Sequence, residues 1–348
     1  MRQVERTHKR LGNLVAFALT ASVARKCMMV VAPAGTGKTV ASKIVMGLLP
    51  QSKVFDSVTR SSMAAIKELF QDYSGLLVVD DMGKVDTLYS RIATATTFAE
   101  LCYSGFIEKH TISSHVSISG FIGSAWLGIQ PIILGQVIAS GEWEAVIMDK
   151  TIRYYHLYRP LAPNRTLPSV YIGEPLALDD VGKVKTGGEG WEELAEMMTC
   201  QWSDARLMEH LTDLVRAVAA WDGRPEVERQ DWVLLAELLR PCSIEAEVVT
   251  KLSFEADRLL NSNLLAMLVE IASWEHLTVA RIARDYKLND QAIFQALRRM
   301  PDYFLIEAIG PKTIGWTPKV VKILEKAGVP RRAPQKAVEP NLSGQSGG

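Results

Sequence analysis

The stretch VVAPAGTGKTVASK, residues 30–43, limits what this chain can fold into more than any other. Before it, CMMVVA is apolar at every position. That pattern suits a strand covered on both faces, as in a parallel sheet, rather than one facing water. After it, TVASKIVMGLL has apolar residues at helical spacing. Between them lie a proline, two glycines and a lysine. A buried strand that turns through a glycine-rich loop into a helix is the first half of a strand–helix–strand unit, so a parallel α/β domain is expected.

The next 120 residues keep the same alternation. HKRLGNLVAFALTASVARK reads as a helix before the first strand. KVFDSV, GLLVVDD, SAWLGI and IRYYHLY read as strands, and SSMAAIKELFQDY, TATTFAELCYSGFIEK and PIILGQVIASGEWEAVI as helices. HVSIS alternates like one strand of an exposed hairpin. Residues 111–141 contain no charged side chain and are long enough to span a bilayer. Gln130, Pro131 and Gln136 near the middle of that run are costly in lipid. A buried strand, a turn and a buried helix are expected there, and no membrane association.

At 348 residues the chain exceeds one ordinary domain. The expected division is an α/β core over 1–165, a Pro/Gly-rich connection over 166–190 and a helical region over 191–254. A third unit over 255–327 and a disordered tail over 328–348 follow. With 39 basic and 39 acidic residues, net charge excludes nothing. Its distribution is informative: residues 171–270 carry 9 Lys/Arg against 20 Asp/Glu, whereas residues 271–348 carry 12 against 7. The basic end is the better place for a polyanion. Cys27, Cys102, Cys200 and Cys242 form no Cys-x-x-Cys pair, so neither a zinc site nor a disulfide framework is indicated. A reducing cytoplasm is expected, and the charged N-terminus is not followed by a signal-peptide pattern.

The loop itself has a specific chemistry. Pro33, Ala34, Gly35, Thr36, Gly37, Lys38, Thr39 and Val40 follow Ala32 in the order of a phosphate-binding P-loop. Gly35 and Gly37 let backbone N–H groups turn inward around a phosphate. The following helix aims its N-terminus at the same anion. Lys38 would reach the β- and γ-phosphates, and the Thr39 hydroxyl would bind Mg²⁺. LLVVDD then matches a Walker B strand. Asp80 would hold Mg²⁺, and Asp81 stands where many ATPases carry a glutamate that polarises the attacking water. Asp81 is one methylene shorter, which leaves hydrolysis less assured than binding.

These motifs, with the strand–helix order and a helical region behind it, resemble the AAA+ ATPases over roughly residues 10–260. The resemblance implies ATP and Mg²⁺ as cofactors and self-assembly into an oligomer. It implies a polar residue ending the strand between Walker B and the last core strand. That is Gln130, with Ser124 as runner-up. It also implies a cation offered to a neighbouring subunit's γ-phosphate just before the last strand, where Lys150 and Arg153 stand. DARLMEHLTDLVRAVAAW resembles the helical lid of members related to minichromosome-maintenance helicases and chelatases. Arg206 would there touch the nucleotide from the same chain. An ordinary helix-start arginine in a salt bridge is the competing reading.

LTVARIARDYKLNDQAIFQALRRM reads as a helix-turn-helix, with Val279, Ile282, Ala283, Ile293, Ala296 and Leu297 inward. Gln291, Gln295, Arg298 and Arg299 face outward, as a groove-facing helix needs. YFLIEAIGPKTIGWTP reads as two short strands with Lys312 at their tip, a winged-helix pattern. A protein-docking module and a bare three-helix packing unit are the alternatives. The combined expectation is an ATP-hydrolysing AAA+ protein that oligomerises and binds DNA, in replication initiation, helicase loading or unwinding. A helicase or other replication protein is a further expected partner. The alternatives are a nucleotide-switched DNA-binding regulator and a mobile-element target-selection ATPase.

Overall fold

The computed structural model describes residues 4, 5, 8, 11–49, 51–58, 60–110, 115–157, 181–187, 190–246, 271, 277–307, 312–326 and 328. Most of the expected connection and all but one residue of the expected tail lie outside them.

A parallel five-stranded sheet forms the centre. Its strands are β1 (Cys27–Val31), β2 (Lys53–Val54), β3 (Leu76–Val79), β6 (Ser124–Ile129) and β7 (Thr151–Tyr155), in the order β2-β3-β6-β1-β7. Successive residues of β1 point to opposite faces. Met28 and Val30 join a core built with α1 (Gly12–Val23), α2 (Lys38–Leu48) and the later helices α6 (Glu192–Met198), α7 (Asp204–Trp221) and α8 (Arg229–Leu239). Cys27, Met29 and Val31 join the opposite core. That core is closed by α3 (Arg60–Phe70), α4 (Leu88–Ser104) and α5 (Pro131–Ile138). Cover on both faces explains why β1 and β3 are apolar throughout rather than alternating.

Two expected helices end earlier than their sequences suggested. α4 stops at Ser104, before Gly105, and the following residues turn into β4 (Ile107–His110). β4 pairs antiparallel with β5 (His115–Ile118), where exposed and buried residues alternate. α5 ends at Ile138, and a separate turn of π-helix covers Trp143–Ile147. The uncharged run over 111–141 supplies β5, the buried β6 and α5. No described helix is long and apolar enough to cross a membrane.

The C-terminal unit has its own small sheet. β8 (Leu277–Thr278), β10 (Thr313–Trp316) and β9 (Phe304–Glu307) lie in the order β8-β10-β9, antiparallel. α9 (Val279–Tyr286) and α10 (Asp290–Arg298) precede the β9–β10 pair, and α11 (Pro318–Lys326) follows it. Thr278 and Asn289 cap the starts of α9 and α10. Ile282, Ile293, Leu297, Ile314 and Leu324 fill the interior.

Candidate functional site

In parallel sheets ligands gather at the carboxyl ends of the strands. Three polar segments meet there in this chain. The glycine loop leaves β1 after Val31, Asp80 and Asp81 leave β3 after Val79, and Gln130 leaves β6 after Ile129. β6 lies between β1 and β3, so Gln130 emerges between the loop and the acidic pair. Gly128 is required on β6, two residues before Gln130. A Cβ there would sit 2.0 Å from the Asp80 carbonyl oxygen, so only glycine admits the β3 backbone at this distance.

Gly37 ends the loop with φ at +95°, where L side chains are strained, and a Cβ would also press on Leu11. Ala34 and Gly35 are exposed, and Thr36 is buried with its hydroxyl donating to the Pro33 carbonyl, 2.8 Å. Lys38 is buried, and its ammonium donates to the carbonyls of Ala32, 2.6 Å, and Pro33, 3.2 Å. Val40 is 37% exposed on the first turn of α2. The loop carbonyls of Ala32 and Pro33 are thus held by the chain's own donors.

Asp80 is bound from both sides by α2. The Thr39 hydroxyl donates to one carboxylate oxygen, 2.8 Å, and the Ser42 hydroxyl to the other, 3.0 Å. Asp81 accepts from the Gly83 N–H, 2.9 Å, and from Gln130 Nε2, 3.3 Å. Asp80, Asp81 and Gln130 are half-buried and Thr39 is exposed. Hydroxyl and carboxylate oxygens in this number suit Mg²⁺, which takes one or two protein ligands and shares the rest with phosphate and water. Among the described residues no three or more His, Cys, Asp or Glu side chains are grouped to hold a metal ion.

Other expected residues lie elsewhere. Thr151, the first residue of β7, pairs with Cys27, the first of β1. Lys150 is therefore at the opposite end of the sheet from its own loop, roughly 16 Å away by strand rise. Its ammonium lies 5.6 Å from the centre of the Tyr103 ring. Arg206 belongs to the same end. Its guanidinium covers Tyr103 at 4.3 Å and bonds Glu209 at 3.1 Å, and Ser203, one turn earlier, is bound to Asp149. The expectation that Arg206 touches the nucleotide in its own chain is corrected: α7 begins at the opposite end of the strands from the loop.

Arg153 is also corrected. It is wholly buried, with Nη2 2.7 Å and Nε 3.0 Å from Glu245, and it donates further to the carbonyls of Met148, Thr151 and Gln201. Tyr155 and Gln201 also donate to Glu245. Burial alone would lower the Arg153 pKa, but the Glu245 carboxylate outweighs it and raises it. A guanidinium so enclosed cannot extend to a neighbouring subunit.

In the C-terminal unit, Gln291, Gln295 and Arg298 are exposed on α10, and Arg299 is exposed just past its end. Lys312 is exposed beside it, its ammonium 4.5 Å from the Phe294 ring centre. Compared with known proteins, the chain matches no family model and no curated protein.

Two residues at the loop escaped the sequence reading. Ser42 carries a visible signal, since it lies three residues after Thr39 on the same helix face. His156 carries none, because its place depends on β7 running beside β1. Its Nε2 lies 3.1 Å from the Thr36 carbonyl, and burial with the nearby Lys38 charge pushes its pKa down to about 4.

Proposed function

We propose that the chain is an ATP-binding, Mg²⁺-dependent ATPase of the AAA+ type, built on a P-loop core. One observation carries the reading: residues 39, 42, 80, 81 and 130, from three segments far apart in sequence, converge on the glycine loop. Lys38 and the N-terminus of α2 would bind the β- and γ-phosphates. Thr39 and Asp80 would hold Mg²⁺, which supplies neutralisation of phosphate charge. Asp81, steadied by Gln130, would accept a proton from the attacking water. The helical region would act as a lid. The position of Lys150, away from its own loop, leaves it to a neighbouring subunit in an oligomer. The C-terminal unit has the element order of a winged helix, and its exposed Gln291, Gln295, Arg298, Arg299 and Lys312 would meet DNA. Replication initiation, helicase loading or unwinding is the process this combination suits.

A nucleotide-switched DNA-binding regulator is the second reading. What favours it is that the Asp81 carboxylate is already engaged by Gly83 and Gln130. An ATPase assay with and without DNA separates the two. Asp81→Asn should keep ATP binding and slow turnover at least tenfold; wild-type turnover in that variant removes Asp81 as the base. Deleting residues 271–348 should abolish DNA binding and spare ATP binding. Unchanged DNA affinity and salt slope would make that unit a docking module.

A further inference from the structure

We propose that His156 is a positioning residue of the phosphate loop, resting on the nucleotide-binding reading above. It orients the Thr36–Gly37 peptide so that the Gly37 N–H faces the bound phosphate. His156 follows β7, and its own N–H donates to the Val31 carbonyl at 2.8 Å. That bond carries the β1–β7 ladder to the last residue before the loop, so the imidazole is fixed beside the loop by the sheet itself. The side chain is fully buried. Its neighbours are a carbonyl oxygen at 3.1 Å and the Lys38 charge. A neutral ring facing a carbonyl must carry its proton on that nitrogen, so Nε2–H donates to Thr36.

The consequence follows from peptide geometry. The amide between Thr36 and Gly37 is planar and trans, as no cis bond occurs among the described residues. Its carbonyl and N–H therefore point in opposite directions. A carbonyl held against the buried histidine directs the Gly37 N–H away from the interior, at the N-cap of α2. The donors at that helix start are what a phosphate binds. Without His156 the peptide is free to rotate, since Gly37 opposes rotation weakly. The loop would then lose one preset donor.

The test compares His156→Gln with His156→Met in the full chain. Both side chains match the reach of Nε2, and only glutamine keeps a donor. MgATP affinity is measured by titration calorimetry, at a temperature below both unfolding transitions. His156→Met should bind about tenfold more weakly, the worth of one hydrogen bond. His156→Gln should bind within about threefold of the parent. The proposal is overturned if methionine binds like the parent, or if glutamine is as weak as methionine. Should His156→Met fail to fold, His156→Asn replaces it, because its amide is too short to reach Thr36. Parent-like affinity in that variant is equally fatal. Lys38→Ala separates this result from the wider reading. If the parent chain binds no MgATP, or Lys38→Ala binds as well as the parent, the nucleotide assignment itself fails. If only the methionine comparison fails, His156 merely fills space.

Discussion

The mouth of the glycine loop and the Arg153–Glu245 cluster are both polar, and both adjoin strands of the same sheet. Their exposure differs. Thr39, Asp80, Asp81 and Gln130 bond one another yet stay within reach of solvent. Arg153, Glu245, Gln201 and Tyr155 are sealed, and their hydrogen bonds run to one another and to nearby backbone. The first group can exchange a protein partner for a ligand. The second cannot without exposing a buried charge. A polar cluster serves a ligand or the fold according to whether its donors and acceptors can be reached.

The sharpest way to break this comparison is to remove one partner from the sealed cluster. Glu245→Ala leaves the Arg153 charge buried without its carboxylate, and should cost about 3–5 kcal/mol in denaturant unfolding. A loss under about 1 kcal/mol would mean that water already reaches the cluster. Next in size is Lys38→Ala at the open group. ATP affinity should fall at least about 100-fold, while unfolding without ligand shifts by no more than about 2 kcal/mol, from the two loop carbonyls left without their donor. A large stability loss with ATP binding intact would reverse the roles assigned to the two regions.

Acid should act on buried groups first. Burial holds the His156 pKa at about 4, and that of His210 at about 3, where Lys26 also lowers it. Both lie below the usual 6.5, so the unfolded chain takes up protons first as pH falls. Their stabilisation is complete above pH 6.5 and is lost progressively between 6.5 and about 4 for His156, and down to about 3 for His210. The loss is on the order of 1 kcal/mol per histidine per pH unit. Chemical denaturation at pH 7 and pH 5 measures it, and equal stabilities would show the rings to be hydrated. The smallest effect belongs to Arg206. Its pair with Glu209 is about one-third exposed, so Arg206→Ala should move stability by no more than about 0.5 kcal/mol. It should leave ATP affinity of the isolated subunit unchanged. A tenfold weaker affinity would restore Arg206 to the nucleotide in its own chain.

The loop and the two acidic residues after β3 were legible because their signals are local. Gly-Lys-Thr at a helix start, and a four-residue apolar run before two aspartates, need no knowledge of distant chain. The resemblance pointed to Gln130 at the end of β6, with Ser124 as runner-up, and Gln130 is the one that emerges beside the acidic pair. Arg153 was misread for want of one inference. It lies inside IRYY, between residues that must be buried, so its charge had to find a buried partner. That partner, Glu245, is 92 residues away, and no periodicity links the two.

The sequence by itself determined the parallel α/β core, the place of the glycine loop of residues 33–40 between a buried strand and a helix, the acidic pair after its strand and the order of elements in the C-terminal unit. Each follows from steric preference and apolar spacing over a dozen residues. Only the tertiary structure decided which arginine is sealed, that Arg206 and Lys150 lie at the far end of the strands from the loop, and that His156 lies against Thr36. Those facts depend on strand order and helix direction. β7 lies beside β1 because the sheet buries apolar surface on both faces, and α7 starts where packing against α1 places it. Contacts set by burial are non-directional along the chain, so they leave no mark at fixed spacing for a sequence to display.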